Sequence, residues 1–455
     1  MSNQRQLFGT DGIRGIAGEF PLTLESTYAI GRALGHDLRS HQQPARVVIG
    51  QDTRESSRWI ADRVTLGLAS QGVEVQSAGV ITTPGVAFLA RSQKFAAGVV
   101  ISASHNPWTD NGIKVFSGDG YKLPDEEELG IEREIFALLQ QPAPSESHSA
   151  LSSLPGDAAL RKAYIAWLRQ NVSADLSRLK VLVDCANGAA TAEAPELFHA
   201  CGIQATFLHA QPNGKNINEN CGALHPENVS KVMAELEGQF DLGVTFDGDA
   251  DRALFCDATG KVVNGDAVLL LAARDMQSRG VLPGNTLVAT TMSNMGLEVA
   301  LKRQGIRMVR ANVGDKYVLE EMKRSGATLG GEQSGHIIFR DGDATTGDGL
   351  LTALRVMEIM ARSGNSLADL VSDLKVFPQI IKNVRVREKI PFKEVIGVQG
   401  AIEAAERELD GNGRVVVRYS GTEALARVMV EAESEARMRV LAENIAGAIQ
   451  KALGS

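Results

Sequence analysis

Five apolar, β-branched runs in this chain end abruptly in polar loops: "RVVIGQDTR", "GVVISASHN", "KVLVDCANG", "DLGVTFDGDADR" and "TLVATTMSN". Helical patterns lie between them, such as Ile60, Val64 and Leu68 at i, i+4 and i+8, so strands alternate with helices. That alternation selects α/β units, in which ligands sit outside the carboxyl ends of the strands. Here those ends carry Ser, Asp, Asn and Arg. The chemistry is therefore expected along one edge.

A chain of 455 residues exceeds one ordinary core and predicts three or four domains. The Pro- and Ser-rich stretch from Gln140 to Asp157 has little periodicity and reads as a first boundary. Further boundaries are placed near Asp257 and Val376, giving domains 1–155, 156–256, 257–375 and 376–455. The last is expected to run strand, helix, two short strands and a long helix with Leu441, Ile445, Ile449 and Leu453 on one stripe. It reads as a small, separate α+β layer.

Composition narrows the function classes. The net charge of -8 and the lack of a Lys/Arg block argue against a nucleic-acid partner. No apolar run reaches transmembrane length, and the start "MSNQRQLFGTDGIRG" carries no export signal, so a cytoplasmic protein is expected. Four cysteines without CxxC spacing fit reduced thiols better than disulfides or zinc.

The stretch "GVVISASHNPWTDNGIKVF" delivers serines, a histidine and a lysine around two turns. If the strand continues to Ser104, period-two alternation puts Ser102 and Ser104 on one face and His105 on the other. His105 is then poorly placed as a base for Ser104. The G-x-S-x-G elbow of a hydrolase is also missing. Taken locally, Ser, Asn and Pro could be turn punctuation alone.

"FDGDADR" alternates Asp247, Asp249 and Asp251 with small residues directly after an apolar strand. Three crowded carboxylates call for a cation, the alternative being a solvated acidic turn. A helix-loop-helix calcium loop needs Gly at its sixth and Glu at its twelfth position, where Arg252 and Ala258 stand. Oxygen-only ligands suit magnesium. "VRYSGTEALARVMVE" offers Arg418, Ser420, Gly421 and Thr422 as a phosphate cradle, or as an ordinary turn. "GGEQSGH" concentrates Glu332, Gln333, Ser334 and His336, as a polyhydroxylated ligand would need.

With "FGTDGIRG", "VDCANGAA", "NINENCGALHPE" and "VGDKYV", these stretches match in order the α-D-phosphohexomutase superfamily, which the chain resembles over nearly its whole length. It is most similar to the bacterial branch acting on glucosamine phosphates, chiefly through "NINENCG", "VGDKYV" and "GEQSGH". Two positions depart from that pattern: Leu224 replaces Thr and Ala424 replaces Pro.

The resemblance implies three similar α/β domains with mixed sheets and a C-terminal two-layer α+β domain around a central cleft. It implies that Ser104 is phosphorylated, that His105 orients its loop, and that Arg14, Lys114 and Arg252 supply cations. Asp247, Asp249 and Asp251, with an oxygen of phosphorylated Ser104, are implied to hold one Mg2+ per subunit. Asp315, Glu332, Ser334 and His336 are implied to bind the sugar, and Arg418, Ser420, Gly421, Thr422 and Arg427 its phosphate. The implied reaction exchanges glucosamine 6-phosphate and glucosamine 1-phosphate through a 1,6-bisphosphate that also serves as activator. The implied partner is this small sugar phosphate, with a homodimer admitted. The alternatives are a phosphomannomutase or phosphoglucomutase of the same superfamily, and a phosphoserine-forming phosphatase.

Overall fold

A computed structural model describes residues 5–41, 45–141, 154–420 and 424–454. The chain forms two compact units, Met1–Thr291 with Val309–Val371, and Met292–Met308 with Ser372–Ser455.

The larger unit is built on mixed sheets. The first has six strands in the order Phe8–Gly9, Gly12–Ile16, Asp110–Ser117, Ala97–Ile101, Arg46–Gln51 and Glu74–Val80. Arg46–Gln51 pairs parallel with both of its neighbours, whereas Asp110–Ser117 returns antiparallel to Ala97–Ile101. All five residues of Ala97–Ile101 are buried, as expected for a strand covered on both faces. Helix Glu55–Ser70 buries Ile60, Val64 and Leu68 against this sheet, the stripe that the sequence spacing predicts.

The second sheet orders Val262–Val263, Ala253–Asp257, Leu242–Phe246, Lys180–Asp184 and Gln204–Leu208, the last three parallel. In the third, Thr286–Thr290 runs parallel to Leu329–Gly331, which pairs antiparallel with Ile337–Phe339. Each of the five apolar runs of the sequence is a strand, and each leads into a loop at its carboxyl end. No described helix is long and apolar enough to cross a membrane.

The smaller unit is a two-layer α+β fold. Its sheet orders Gln379–Arg385, Leu425–Ala432 and Gly413–Tyr419, all antiparallel. Helix Glu435–Leu453 buries Leu441, Ile445, Ile449 and Leu453 in the core beneath it. Met292–Met308 joins this unit through side-chain bonds: Asn294 Nδ2 donates to the Phe377 carbonyl at 3.0 Å, and Phe377 N donates to Asn294 Oδ1 at 2.9 Å.

Candidate active site

Ser104 lies three residues beyond the end of Ala97–Ile101 and adopts φ +52°, in the left-handed region that β-carbon sterics disfavour. Several bonds hold this conformation. Ser104 N donates to Ser102 Oγ at 3.0 Å. Its carbonyl accepts from Arg54 at 3.1 Å and from Asn218 Nδ2 at 2.9 Å, and both donors also reach the Asn106 carbonyl. Arg54 is buried and ion-paired to Asp52, which also accepts from Ser57 at 2.7 Å. The alternation expected through Ser104 therefore fails, because the strand has already ended and the backbone turns left-handed. His105 Nδ1 consequently stands 3.3 Å from Ser104 Oγ instead of on the opposite face. Burial, then the charges of Arg252 and Arg14, lower the His105 pKa to about 4, so its ring is neutral at pH 7.

Ser104 Oγ donates to Asp247 Oδ2 at 2.5 Å across 143 positions of sequence. Asp247, Asp249 and Asp251 are all buried, with ligand atoms within 4.8 Å of one another. Lys114 Nζ bonds Asp249 at 2.8 Å and lies 2.8 Å from Asp11 and 3.5 Å from Asp251. Burial would lower the Lys114 pKa, but Asp11, Asp249 and Asp251 outweigh it and raise it, so the ammonium stays charged. Burial pushes Asp249 up; the Lys114 charge, its hydrogen bond and that of Thr83 (2.5 Å) outweigh it and hold the carboxyl below the usual range. Asp247 is driven up by burial and then by its two acidic neighbours.

One lysine cannot balance this cluster. Asp249 Oδ1 and Asp251 Oδ1 are buried and accept no hydrogen bond among the described residues. The group brings only carboxylate oxygens as ligands, and the two left without a hydrogen bond, one of them 3.8 Å from Arg252 Nε, fit a hard divalent ion such as magnesium.

A cavity of about 430 Å³ opens beside this cluster, lined among others by Asp11, Arg14, His105, Asp251, Arg252, Asp315, Glu332 and His336. Arg14 pairs with Asp11 and reaches Asn106 Oδ1 at 3.3 Å. Lys122 bridges Asp11 at 2.5 Å and Asp315 at 2.6 Å. Glu332 accepts from Gly314 N at 2.9 Å and from Ser334 Oγ at 3.4 Å. Both ring nitrogens of His336 are buried without a hydrogen-bond partner among the described residues. The structure thus gathers Arg14, Ser104, His105, Lys114, the three aspartates, Arg252, Asp315, Glu332, Ser334 and His336 into one region.

Profiles of the phosphoglucomutase/phosphomannomutase family match in chain order: alpha/beta/alpha domain I over residues 5–142, domain II over 162–260, domain III over 264–377, and the C-terminal domain over 381–448. The phosphoglucosamine mutase of Koribacter versatilis is 64% identical over 452 residues, covering 99% of this chain and 98% of its own length. That of Solibacter usitatus is 52% identical over 450 residues, 99% of both chains. The chain belongs to the α-D-phosphohexomutase superfamily.

Among solved phosphohexomutase structures, a phosphoglucomutase/phosphomannomutase family protein from Burkholderia thailandensis superposes with a TM-score of 0.80 at 25% identity, covering 98% of this chain and 97% of its own. N-acetylphosphoglucosamine mutase of Aspergillus fumigatus shares the fold, with a TM-score of 0.61 at 20% identity, covering 99% of this chain and 96% of its own.

The smaller unit of this phosphohexomutase presents Arg418 on Gly413–Tyr419 directly opposite Arg427 on Leu425–Ala432. Like charges facing across an antiparallel pair repel, and an anion between them would relieve the repulsion. Ser420 is buried, and its carbonyl accepts from Lys389 Nζ at 2.7 Å. Gly421 and Thr422 lie outside the described residues.

Sequence reading missed Asp11, Arg54, Lys122 and Asn218. Asp11 and Asn218 lie inside the motifs "FGTDGIRG" and "NINENCG", and Arg54 closes "GQDTR" at a strand end, so position alone could have flagged them. Lys122 carried no local signal, because its partners come from residues 11 and 315.

Proposed function

We propose that this protein interconverts glucosamine 6-phosphate and glucosamine 1-phosphate, with Ser104 carrying the phosphoryl group. The observation that carries this reading is the 2.5 Å bond from Ser104 Oγ to Asp247, inside a cluster that also holds Asp249, Asp251 and Lys114. The full-length relatives at 64% and 52% identity, both named phosphoglucosamine mutase, support the choice of substrate.

In this reading phosphorylated Ser104 gives its phosphoryl to the free hydroxyl of the bound sugar phosphate: the serine O–P bond breaks as the sugar O–P bond forms. The bisphosphate then turns round, and its other phosphoryl returns to Ser104. A phosphoserine carries about -1.5 to -2 charges, so Arg14, Lys114 and Arg252 are the groups that balance it. Neutral His105 holds Ser104 Oγ in position. Asp247, Asp249 and Asp251, with an oxygen of phosphorylated Ser104, would hold one magnesium ion per subunit, which when bound acts as Lewis acid toward the transferring phosphoryl group.

Glu332, Ser334, His336 and Asp315 would bind the sugar. Since Lys122 already neutralises Asp315, Glu332 is the better partner for the ammonium at C2. Arg418, Ser420, Gly421, Thr422 and Arg427 would grip the non-reacting phosphate. The four-part division at 155, 256 and 375, a homodimeric assembly and a cytoplasmic location complete the proposal.

The test is to feed the purified protein glucosamine 6-phosphate with magnesium and catalytic 1,6-bisphosphate and follow the 1-phosphate by phosphorus NMR. Conversion should outpace that of glucose and mannose phosphates. Faster turnover of a neutral sugar would reassign the substrate. Inorganic phosphate released in step with substrate loss would make the protein a phosphatase.

A further inference from the structure

At the carboxyl end of the strand Lys180–Asp184 lies a second group of ligand-bearing side chains that the mutase chemistry does not use. Asp184, His209 and Cys221 place a carboxylate oxygen, an imidazole nitrogen and a thiol sulfur within 4.8 Å of one another. Asp184 Oδ2 stands 3.0 Å from His209 Nδ1. Asp184 and Cys221 are fully buried, while the His209 side chain is 37% exposed. The three come from three separate places: a strand end, a loop after Gln204–Leu208, and the "NINENCG" segment.

The scaffold around them is firmly built. Asp184 is pinned by Ala186 N at 2.8 Å and Gly222 N at 2.9 Å. Gly222 follows Cys221 with φ +73°, and a β-carbon there would meet Ala186 Cβ and the Phe246 carbonyl, each at 2.5 Å. His209 itself takes φ +45° and its carbonyl accepts from Asn187 N at 2.6 Å, so backbone geometry turns it toward the group.

We propose that Asp184, His209 and Cys221 form a second metal site, distinct from the aspartate triad, for a thiophilic divalent ion of the zinc class. The donor set decides the ion: one sulfur and one imidazole nitrogen beside one oxygen suit zinc and its soft analogues, whereas magnesium takes oxygens. Arms of 2.0–2.3 Å imply edges of roughly 3.3–3.8 Å between tetrahedral ligand atoms, a spacing that small side-chain shifts reach from here. The exposed edge of His209 gives the ion its entry, and water would complete the coordination. Occupancy would bear on the phosphoryl site, because Asn218 in the same segment as Cys221 holds the carbonyls of Ser104 and Asn106.

The test titrates the chelator-stripped full chain with Cd2+ while excess magnesium keeps the aspartate triad saturated, and follows the thiolate-to-cadmium absorption in the ultraviolet. One equivalent should develop the band. Cys221→Ser should abolish it, and Cys201→Ser, which alters a half-buried thiol elsewhere, should leave it intact. His209→Asn, at an exposed position that does not threaten the fold, should weaken cadmium binding at least about tenfold. No stoichiometric band, a band that survives in Cys221→Ser, or unchanged affinity in His209→Asn would each overturn the proposal.

Discussion

No side chain fits between Gly248 and the carbonyl oxygen of Ser104: a β-carbon at Gly248 would collide with that oxygen and stand 2.8 Å from Asn218 Nδ2. The metal loop therefore lies directly on the serine loop, and the same contact sets the reach from Ser104 Oγ to Asp247. Gly248→Ala should separate the two loops. A displacement near 1 Å costs on the order of 10²-fold in rate, so kcat should fall steeply while the thermal midpoint drops only modestly. Near-normal kcat would mean that the loops have slack.

Ser104→Ala should abolish mutase turnover and remove any phosphate adduct seen by intact-mass measurement. Stability should change by only about 1 kcal/mol, the worth of one hydrogen bond. Ser102, the nearby hydroxyl, is fully buried and its Oγ accepts from Ser104 N. Substantial residual turnover in the alanine variant would remove Ser104 as carrier.

For the metal, Asp249→Asn should reduce activity sharply and weaken apparent magnesium affinity at least about tenfold. The amide loses a charge from the triad and leaves Lys114 with Asp11 and Asp251 as its remaining anions. Wild-type activity should vanish in EDTA and return with magnesium. Full activity in chelator would take the ion out of the reaction.

Asp348 offers a pH test at a carboxyl outside the triad but within range of the Asp251 charge. Burial raises its pKa from 3.8 to about 6, against opposing hydrogen bonds from Leu351 N and Tyr164 OH. The folded state therefore holds this proton more tightly than the unfolded chain. Its contribution to stability is fully present below about pH 4 and is lost as pH rises through about 6, amounting to roughly 3 kcal/mol. Asp348→Asn stays neutral: its Oδ1 can accept from Leu351 N while its amide nitrogen donates to the Tyr164 hydroxyl, which can also accept. Urea midpoints should show the variant ahead of wild type at pH 7, with the gap closing toward pH 4. A gap that does not change with pH would show that Asp348 titrates normally.

Local pattern was enough to read the strands, the buried stripe of Glu55–Ser70 and the alternating aspartates, since period and composition act over a few residues. The α/β class and the acidic loop at a strand end follow from the sequence by themselves. What only the tertiary structure decided is partner choice at long range. Alternation failed at His105 because Ser104 leaves the strand with positive φ, a conformation stabilised by Arg54 and Asn218 from distant segments. Asp315, one of the residues implied to bind the sugar, lies 2.6 Å from Lys122, 193 positions earlier in the chain, a pairing that no local pattern announces. Charge balance in a buried site depends on which side chains share its low dielectric. That is set by packing between domains, which sequence spacing cannot report.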